Sequence, residues 1–369
     1  MSDSKLTVEH RIFGAPLRYI QGAGAIHTVG KTARMVGTHA LLIGDQLVLD
    51  LVGSTLAHSC HEAGIELTQI LFTGEVTPAE IERLKAQPGI ADTDVVLAAG
   101  GGKGIDIGKA LANSIGAQVI TVPTIASNDA PTSKIYVVYD ENHRLLAVEH
   151  MNHNPFAVIV DTDLIARAPR VLLLAGIGDA ISKKFEVAQC FNAKGKNIYG
   201  GLGTAAANAL ASTCYELIRE HSVSALHAVD TKKTNLALES LVEATVLLSG
   251  LCFENGGLSI AHAMTRGLSA VRETAHALHG LQVAYGLLVQ FILEERSDDF
   301  ISDMVAFYKE TGLPRSLQEL GLPHTPTDDE IQKIAELTMT APHVRNFPTT
   351  LTSTDLMKAI QSVQTQYIN

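Results

Sequence analysis

A glycine-rich segment directly follows a short apolar run and precedes a stretch with helical spacing. After Val95-Val96-Leu97-Ala98 the chain continues Ala99-Gly100-Gly101-Gly102-Lys103-Gly104-Ile105-Asp106. Glycine lets the backbone approach a ligand closely, and the unpaired N–H groups at a helix start favour a pyrophosphate. The G-G-G-x-G spacing matches neither the usual dinucleotide fingerprint nor the Walker motif. It predicts a phosphate-binding turn between a strand and a helix, with a plain tight turn as the alternative.

Other short apolar runs in the first half have the same character. Residues 40–43 and 157–160 are apolar throughout, residues 119–122 are apolar except for the β-branched Thr121, and all three runs are too short for helices. Strands that are buried on both faces and separated by helices form parallel βαβ units. The runs 135–139 and 145–148, joined by Asp140-Glu141-Asn142-His143, predict a β-hairpin beside that sheet.

Beyond Asp161 the apolar residues recur at three- and four-residue spacing, which is typical of amphipathic helices. We expect helices at 170–190, 205–220, 234–252 and 283–294. The predicted fold class is therefore an α/β, Rossmann-like parallel-sheet domain at residues 1–165, followed by an all-α domain at residues 166–369.

Composition excludes several classes of protein. The 369 residues carry a net charge of −11 without a run of Lys or Arg, which argues against a nucleic-acid partner. Mean hydropathy is +0.17, but no continuous apolar stretch reaches the roughly 18 residues of a spanning helix, so no membrane association is expected. The N-terminus lacks the apolar block of a signal peptide, and the four cysteines are widely spaced. These features predict a cytoplasmic protein with reduced thiols.

Two polar features follow strands of the predicted sheet. Asp45 ends the first clear strand, where a carboxylate accepts hydrogen bonds from an adenosine ribose and repels a ribose phosphate; this favours NAD over NADP. The alternative is a helix N-cap. The loop 123–133, Pro-Thr-Ile-Ala-Ser-Asn-Asp-Ala-Pro-Thr-Ser, either satisfies its own backbone or lines a cofactor channel, with Asp129 reaching the substrate.

The helical half contains a candidate metal site. Asp179 follows Gly176-Ile177-Gly178, His262 lies in an apolar helix, and His276 and His279 follow shortly afterwards. One carboxylate and two imidazoles with an open position suit catalytic zinc, and the same set suits ferrous iron. The alternative is a group of core histidines that bind no metal.

Five motifs in order resemble one family. They are AGGGKGIDIGK at 99–109, PTIASNDAPTS at 123–133, AGIGDA at 175–180, GGLSIAH at 256–262 and HGLQVAYG at 279–286. In sequence and separation they resemble the iron-containing, or group III, alcohol dehydrogenases, and within that family the glycerol dehydrogenase branch. The resemblance covers nearly the whole chain, from Tyr19-Ile20-Gln21-Gly22 to the terminal helices.

The resemblance implies an architecture similar to dehydroquinate synthase and the oxidation of glycerol, or a similar vicinal diol, to dihydroxyacetone. The hydride would pass to NAD from an alkoxide bound to Zn²⁺, with Fe²⁺ as the alternative metal. It also implies a homo-oligomer, from a dimer to an octamer, and a proton path through His276 or a water. The implied metal ligands, which also contact the substrate together with Asp129, are Asp179, His262 and His279. The implied NAD contacts are Asp45, Gly102, Lys103, Gly104, Ile105, Asp106, Thr124, Ser127, Ser133, Ile135 and Tyr139.

One departure from the family pattern opens alternatives. After His262 the chain reads Ala263-Met264-Thr265-Arg266, where relatives commonly carry a second His and an Asn. An arginine beside the site attracts a carboxylate. A reductase of 2-oxo acids or small aldehydes is therefore an alternative. A dehydroquinate-synthase-like lyase is another, although the motifs lack the Lys and Arg cluster that its phosphate-bearing substrate needs.

Overall fold

The structure, a computed structural model, describes residues 9–141 and 144–366. The chain forms two compact units. The sheet unit comprises Ala15–Ile177 and Glu220–Gly250, and the helical unit comprises residues 9–14, Gly178–Arg219 and 251–366. Each unit combines segments from distant parts of the chain. The division into continuous domains at 1–165 and 166–369 stays a prediction.

The sheet unit contains a six-stranded sheet, whose strands are β1 Tyr19–Gly22, β2 His39–Gly44, β3 Glu66–Leu71, β4 Val95–Gly100, β5 Gln118–Pro123 and β8 Ala157–Asp161. Their order is β1-β8-β5-β4-β2-β3, and every neighbouring pair is parallel. The predicted strands are confirmed at β2, β4, β5 and β8. β3 was not predicted, because as an edge strand it carries Glu66, Thr68 and Gln69 and lacks a continuous apolar run.

Both faces of the sheet are buried. Leu42 and Leu97 belong to the hydrophobic cluster on one face, and Leu41 and Val96 belong to the cluster on the other. All four side chains are fully buried. Alternate residues of one strand therefore enter two different cores, which explains why residues 40–43 of β2 and 95–98 of β4 are apolar throughout.

Four helices lie between strands of this sheet: α1 Val29–Ala33, α2 Gln46–Glu62, α3 Pro78–Lys85 and α4 Gly102–Ile115. A fifth, α5 Thr162–Arg167, directly follows β8. The predicted hairpin is also confirmed: β6 Ile135–Tyr139 and β7 Leu145–His150 are antiparallel, with an irregularity at Val138/Tyr139. Asn142 and His143 of its predicted turn lie outside the described residues.

Beyond β8 the named elements are helices, as predicted, but with different bounds. They are α6 Arg170–Ile181, α7 Lys183–Asn192, α8 Ala205–Asp230, α9 Leu236–Val242, α10 Ser249–Gly256, α11 Ile260–Leu268, α12 Arg272–Ala275, α13 His279–Leu293, α14 Asp298–Thr311, α15 Asp328–Thr338 and α16 Ser353–Gln366. The predicted fold class, a parallel-sheet region followed by a mostly helical one, is confirmed.

Two of the predicted helices are interrupted. The helix predicted at 170–190 breaks at Ser182, whose hydroxyl donates to the carbonyl of Asp179 and to Glu186 Oε2 (2.8 Å). The helix predicted at 234–252 contains a π-helical turn, Glu243–Leu248, between α9 and α10. In that turn the carbonyl of Val246 accepts a hydrogen bond from Thr132 Oγ1 at 2.6 Å.

One apolar stretch, Leu236–Gly256, is long and apolar enough to cross a membrane by length and composition alone. Within its most apolar window, 61% of the stretch is buried inside the protein. A helix that packs against its own protein in this way is typical of a core helix in a soluble fold.

Candidate metal centre and glycine loop

Three side chains from three helices converge in the helical unit. Asp179 lies near the end of α6, His262 in α11, and His279 is the first residue of α13. One donor atom from each lies within 4.8 Å of the others, and the oxygen Asp179 Oδ1 is 3.1 Å from the nitrogen His262 Nε2. Asp179 and His262 are buried, whereas His279 is exposed. The three helices therefore bring one carboxylate and two imidazoles to a single point.

Gly178 permits this convergence. A Cβ at that position would lie 2.3 Å from the carbonyl oxygen of Gly280, which is far closer than packed atoms approach. Only a glycine beside Asp179 lets α6 come this close to the first turn of α13, which carries His279.

Glu186 of α7 fixes the orientation of His262. Its Oε2 is 2.6 Å from His262 Nδ1, and its Oε1 accepts the backbone N–H groups of Ser259 (2.9 Å) and His262 (3.0 Å). A carboxylate opposite Nδ1 holds the proton on that nitrogen and leaves the Nε2 lone pair available. This Nε2 is the atom that faces Asp179.

Lys183 lies at the same point. Its ammonium is 2.7 Å from Asp179 Oδ1 and 3.1 Å from His262 Nε2, and its side chain is only 1% exposed. A lysine donates hydrogen bonds and cannot accept them. Both neighbouring atoms therefore present lone pairs to a cation.

Charge dominates the protonation of these groups. Burial by itself raises the pKa of Asp179, but the cations around it, Lys183 first, outweigh this and lower it. Burial also opposes ionisation of Glu186 and His262. Contact with His262 and the positive charge of Lys183 nevertheless lower the pKa of Glu186 to about 2, whereas the charge of Lys183 opposes protonation of His262. The pocket therefore stabilises positive charge next to two carboxylates.

The donor set fits a divalent metal. In tetrahedral zinc sites with bonds of about 2.0–2.1 Å, neighbouring ligand atoms are roughly 3.3 Å apart. The 3.1 Å between Asp179 Oδ1 and His262 Nε2 is close to that edge length. The Glu186 contact on the far side of His262 is the arrangement by which proteins orient a metal-bound imidazole.

In the sheet unit, the glycine segment forms the turn between β4 and α4. Gly100 has φ 132°, a conformation that only glycine adopts readily, and Gly101 is the N-cap of α4. A Cβ at Gly104 would lie 2.5 Å from the carbonyl oxygen of Ala99, so this glycine lets the helix start pack directly on the strand. The predicted strand-to-helix turn is present, with the first turn of α4 following it.

The charged residues of this segment have separate partners. Lys103 pairs with Glu75. Asp106 is buried and accepts the N–H of Val137 at 3.1 Å. Burial raises the pKa of Asp106 to about 6, although the positive charge of Lys109 opposes this rise. Asp106 therefore holds α4 against the hairpin.

Lys109, which was not predicted as a site residue, ties this helix to the following loop. Its fully buried ammonium donates to the carbonyl oxygens of Ala130 and Ile135 (2.8 Å to the latter) and to Ser133 Oγ (3.3 Å). Ser133 and Ile135 are two of the predicted NAD contacts. The cation thus fixes the backbone that presents them.

The remaining predicted cofactor and substrate residues also lie in the sheet unit. Asp45 accepts the N–H of Val48 at 2.8 Å and so caps the N-terminus of α2, which is the alternative that the sequence left open for this residue. Asp129 accepts a hydrogen bond from Ser249 Oγ at 3.0 Å. The other three are a buried Thr124, whose N–H donates to the carbonyl of Gly100, and the partly buried Ser127 and Tyr139.

Comparisons with known proteins identify the family of this chain. The family model for iron-containing alcohol dehydrogenases matches residues 20–169. A glycerol dehydrogenase of Thermotoga maritima is 38% identical over 94% of this chain and 95% of its own length. The chain belongs to the iron-containing alcohol dehydrogenase family. A glycolaldehyde reductase of Halobacterium salinarum is also 38% identical, over 88% of this chain and 89% of its own.

Solved structures agree with the family and the fold. A glycerol dehydrogenase of Schizosaccharomyces pombe superposes with a TM-score of 0.92 at 32% identity, covering 96% of this chain and 91% of the other. A probable glycerol dehydrogenase of Sinorhizobium meliloti gives 0.89 at 35% identity, over 96% and 98% of the two chains.

Against this family background, two further residues have informative positions. Arg266, the departure that suggested a carboxylate substrate, is exposed and donates to the carbonyl of Thr340 at 2.7 Å. His276 is exposed on the turn after α12. Neither belongs to the group of Asp179, His262 and His279.

The sequence interpretation missed Lys183, Glu186 and His343. Lys183 and Glu186 follow Asp179 by four and seven residues, a helical spacing that places them on its face and could have revealed them. His343 gives no such signal. It lies on the turn Pro342–Asn346, where burial lowers its pKa to about 4.

Proposed function

We propose that this protein oxidises glycerol, or a similar vicinal diol, to the hydroxyketone, which is dihydroxyacetone for glycerol, with NAD as hydride acceptor. The observation that carries the proposal is the convergence of Asp179, His262 and His279, with His262 oriented by Glu186. The glycerol dehydrogenases that share 34–39% of its residues over most of their length support the same substrate class.

Asp179, His262 and His279 would hold the metal, Zn²⁺ or Fe²⁺. When bound, such an ion supplies Lewis acidity that makes a substrate hydroxyl easier to deprotonate near neutral pH. The chain's own contribution is the orientation of the donors. Glu186 keeps the proton of His262 on Nδ1, so that Nε2 faces Asp179 with its lone pair.

The sheet unit would bind NAD, whose nicotinamide accepts the hydride. The backbone N–H groups of Gly102, Lys103 and Gly104, at the start of α4, suit the pyrophosphate. Ile105, whose N–H donates to the carbonyl of Gly101 at 2.9 Å, and Asp106 would add contacts around it. Asp45 is exposed at the end of β2 and suits the adenosine ribose while it caps α2. Thr124, Ser127, Ser133, Ile135 and Tyr139 would complete the contacts.

Asp129 would bind a hydroxyl of the diol. Ser249 Oγ donates to Asp129 Oδ2 at 3.0 Å and so fixes the orientation of the carboxylate. The substrate hydroxyl would be held by a charged acceptor, which makes a stronger hydrogen bond than a neutral one. His276, which is exposed, would pass the released proton to water.

Reduction of a small aldehyde is a second candidate activity. The glycolaldehyde reductase of Halobacterium salinarum, 38% identical over 88% of this chain, favours it. The carboxylate specificity inferred from Arg266 has less support, because this side chain donates to the carbonyl of Thr340.

We further propose that the protein forms a homo-oligomer and is located in the cytoplasm.

Substrate assays test the proposal. NAD reduction is recorded with glycerol, propane-1,2-diol and butane-2,3-diol, and NADH oxidation with dihydroxyacetone, glycolaldehyde and 2-oxobutanoate, before and after treatment with a chelator. We expect diol oxidation that the chelator abolishes and added Zn²⁺ or Fe²⁺ restores. Faster turnover of 2-oxobutanoate than of every diol would refute the diol assignment.

The variant Asp129→Asn tests substrate binding by Asp129 separately from metal binding by Asp179, His262 and His279. It keeps the shape of the side chain and its hydrogen bond with Ser249 but removes the charge. We expect a raised KM for the diol with unchanged metal content. An unchanged KM would remove Asp129 from the substrate site.

A further inference from the structure

Lys183 contacts the same two atoms that the metal would use. Its Nζ is 2.7 Å from Asp179 Oδ1 and 3.1 Å from His262 Nε2, and these two atoms are themselves 3.1 Å apart. The three atoms therefore form a nearly equilateral triangle. The side chain is 1% exposed, so water does not screen the ammonium from its partners.

The hydrogen-bonding chemistry of this triangle is one-sided. An ammonium has three N–H donors and no lone pair, and an ionised carboxylate has acceptors alone. Because Glu186 lies 2.6 Å from His262 Nδ1, the proton of the imidazole is held there and Nε2 also acts as an acceptor. Lys183 thus forms hydrogen bonds with the lone pairs of Asp179 Oδ1 and His262 Nε2, which a divalent cation would need as ligands.

We propose that Lys183 is a built-in competitor of the metal: its ammonium must leave Asp179 and His262 before a divalent ion binds there. This inference rests on the proposed function, which assigns the metal to these residues. The competition has two parts. The ammonium and the ion share donor atoms, and two cations in one buried pocket repel each other strongly.

The same contact has a second consequence for the metal-free protein. Asp179 is buried, and a buried carboxylate without a cation is costly. Lys183 neutralises it in place and satisfies the lone pair of His262. The lysine therefore stabilises the metal-free form and contributes less once the metal is bound, which makes the centre exchange its metal readily.

The neighbouring lysine provides a matched control. Lys184 is the next residue of α7, but its Nζ lies 4.3 Å from the centre of the Tyr215 ring. Lys183→Met and Lys184→Met remove the same charge from adjacent positions, and only the first changes the triangle. Lys183→Arg keeps the charge in the pocket.

The experiment measures zinc affinity of the full chain directly. Each protein is stripped with a chelator, Zn²⁺ is titrated against a chromophoric chelator of known affinity, and thermal unfolding is followed with and without Zn²⁺. For Lys183→Met we expect a dissociation constant at least 10-fold lower, a lower Tm without metal and a larger gain in Tm on adding zinc. Lys184→Met should match the original protein, and Lys183→Arg should keep the weak affinity.

An unchanged or weakened zinc affinity of Lys183→Met overturns the inference, and a weakened one would mean that the lysine orients the ligands. If this variant does not fold without metal, the rate of zinc release into excess chelator is measured on the loaded proteins. Release slower than from the original protein supports competition, and equal or faster release overturns it. If neither the original protein nor Lys183→Met binds Zn²⁺ or Fe²⁺, the metal centre of the proposed function is refuted instead.

Discussion

Replacing Glu186 by Gln reverses the direction of one hydrogen bond while it keeps the shape of the side chain. The Gln oxygen can still accept the N–H groups of Ser259 and His262. The Gln amide nitrogen then replaces Oε2, which lies 2.6 Å from His262 Nδ1. Because an amide N–H donates, Nδ1 must become the acceptor and the proton must move to Nε2. The lone pair that faces Asp179 is lost.

The size of the effect follows from this tautomer change. Partners that orient a metal-bound imidazole typically contribute 10–100-fold in metal affinity, or about 1.4–2.7 kcal/mol. We expect the weakening of zinc affinity in Glu186→Gln to lie in this range. The change in stability of the metal-free protein should be smaller than for Glu186→Ala, because Gln still fills the space and Ser182 Oγ, now 2.8 Å from Oε2, can accept instead of donating.

The assay is zinc titration against a competing chelator, with Glu294→Gln as the matched control. Glu294 is also a carboxylate of the helical unit with a 2% exposed side chain, but it accepts from Arg296 and Gln290. The control should bind zinc like the original protein. A zinc affinity of Glu186→Gln within threefold of the original would refute the argument that Glu186 sets the tautomer of His262.

Three further predictions concern the sheet unit. Lys109→Met removes a buried cation from Ser133 and two carbonyl groups, so we expect a loss of about 3–5 kcal/mol in urea unfolding followed by circular dichroism, together with weaker NAD binding. Asp106 has a pKa raised to about 6, so its ionisation destabilises the fold: the stability present below pH 4 is lost as the pH rises through 6. The free energy of unfolding of Asp106→Asn, relative to that of the original protein, should therefore increase by about 3 kcal/mol between pH 4 and pH 8. If the difference between the two proteins does not change with pH, the burial argument is wrong. Asp45→Asn keeps the cap on Val48 but removes the charge, so stability should hold within a few tenths of a kcal/mol while the preference for NAD over NADP narrows; an unchanged preference would remove Asp45 from the ribose.

The sequence predicted most of the sheet because its strands are buried on both faces. Residues 40–43, 95–98 and 157–160 are apolar without interruption, and residues 119–122 contain one polar residue, the buried Thr121. In runs this short, such a pattern is typical of central strands in a parallel sheet. The edge strand Glu66–Leu71 escaped prediction because one side of it faces solvent and carries polar residues. Helix bounds also shifted, since local contacts such as the Ser182 hydrogen bonds decide where a helix breaks.

The candidate site was predicted as a set of residue types and not as an arrangement. Asp179, His262 and His279 were selected by chemistry and by resemblance, and the structure brings their donor atoms within 4.8 Å of one another. Glu186 and Lys183 were not predicted as site residues, because the role of a buried charged side chain depends on which residues it contacts in the folded protein. The helical spacing of Lys183 and Glu186 from Asp179 was visible in the sequence. The contact between Asp179 and His262, which are 83 residues apart, was not.

The sequence by itself determined the elements of this protein: apolar runs that can only be buried strands, a glycine turn that suits an anion, and helices rich in small residues. These are properties of neighbouring residues, and local sterics and hydrophobicity are enough to impose them. Tertiary structure alone decided which lone pairs face each other. The close approach of Gly178 to Gly280 and the convergence of Lys183, Asp179 and His262 depend on the packing of helices far apart in the chain. Electrostatic energy depends on distances between atoms, and those distances are fixed only when the chain has folded.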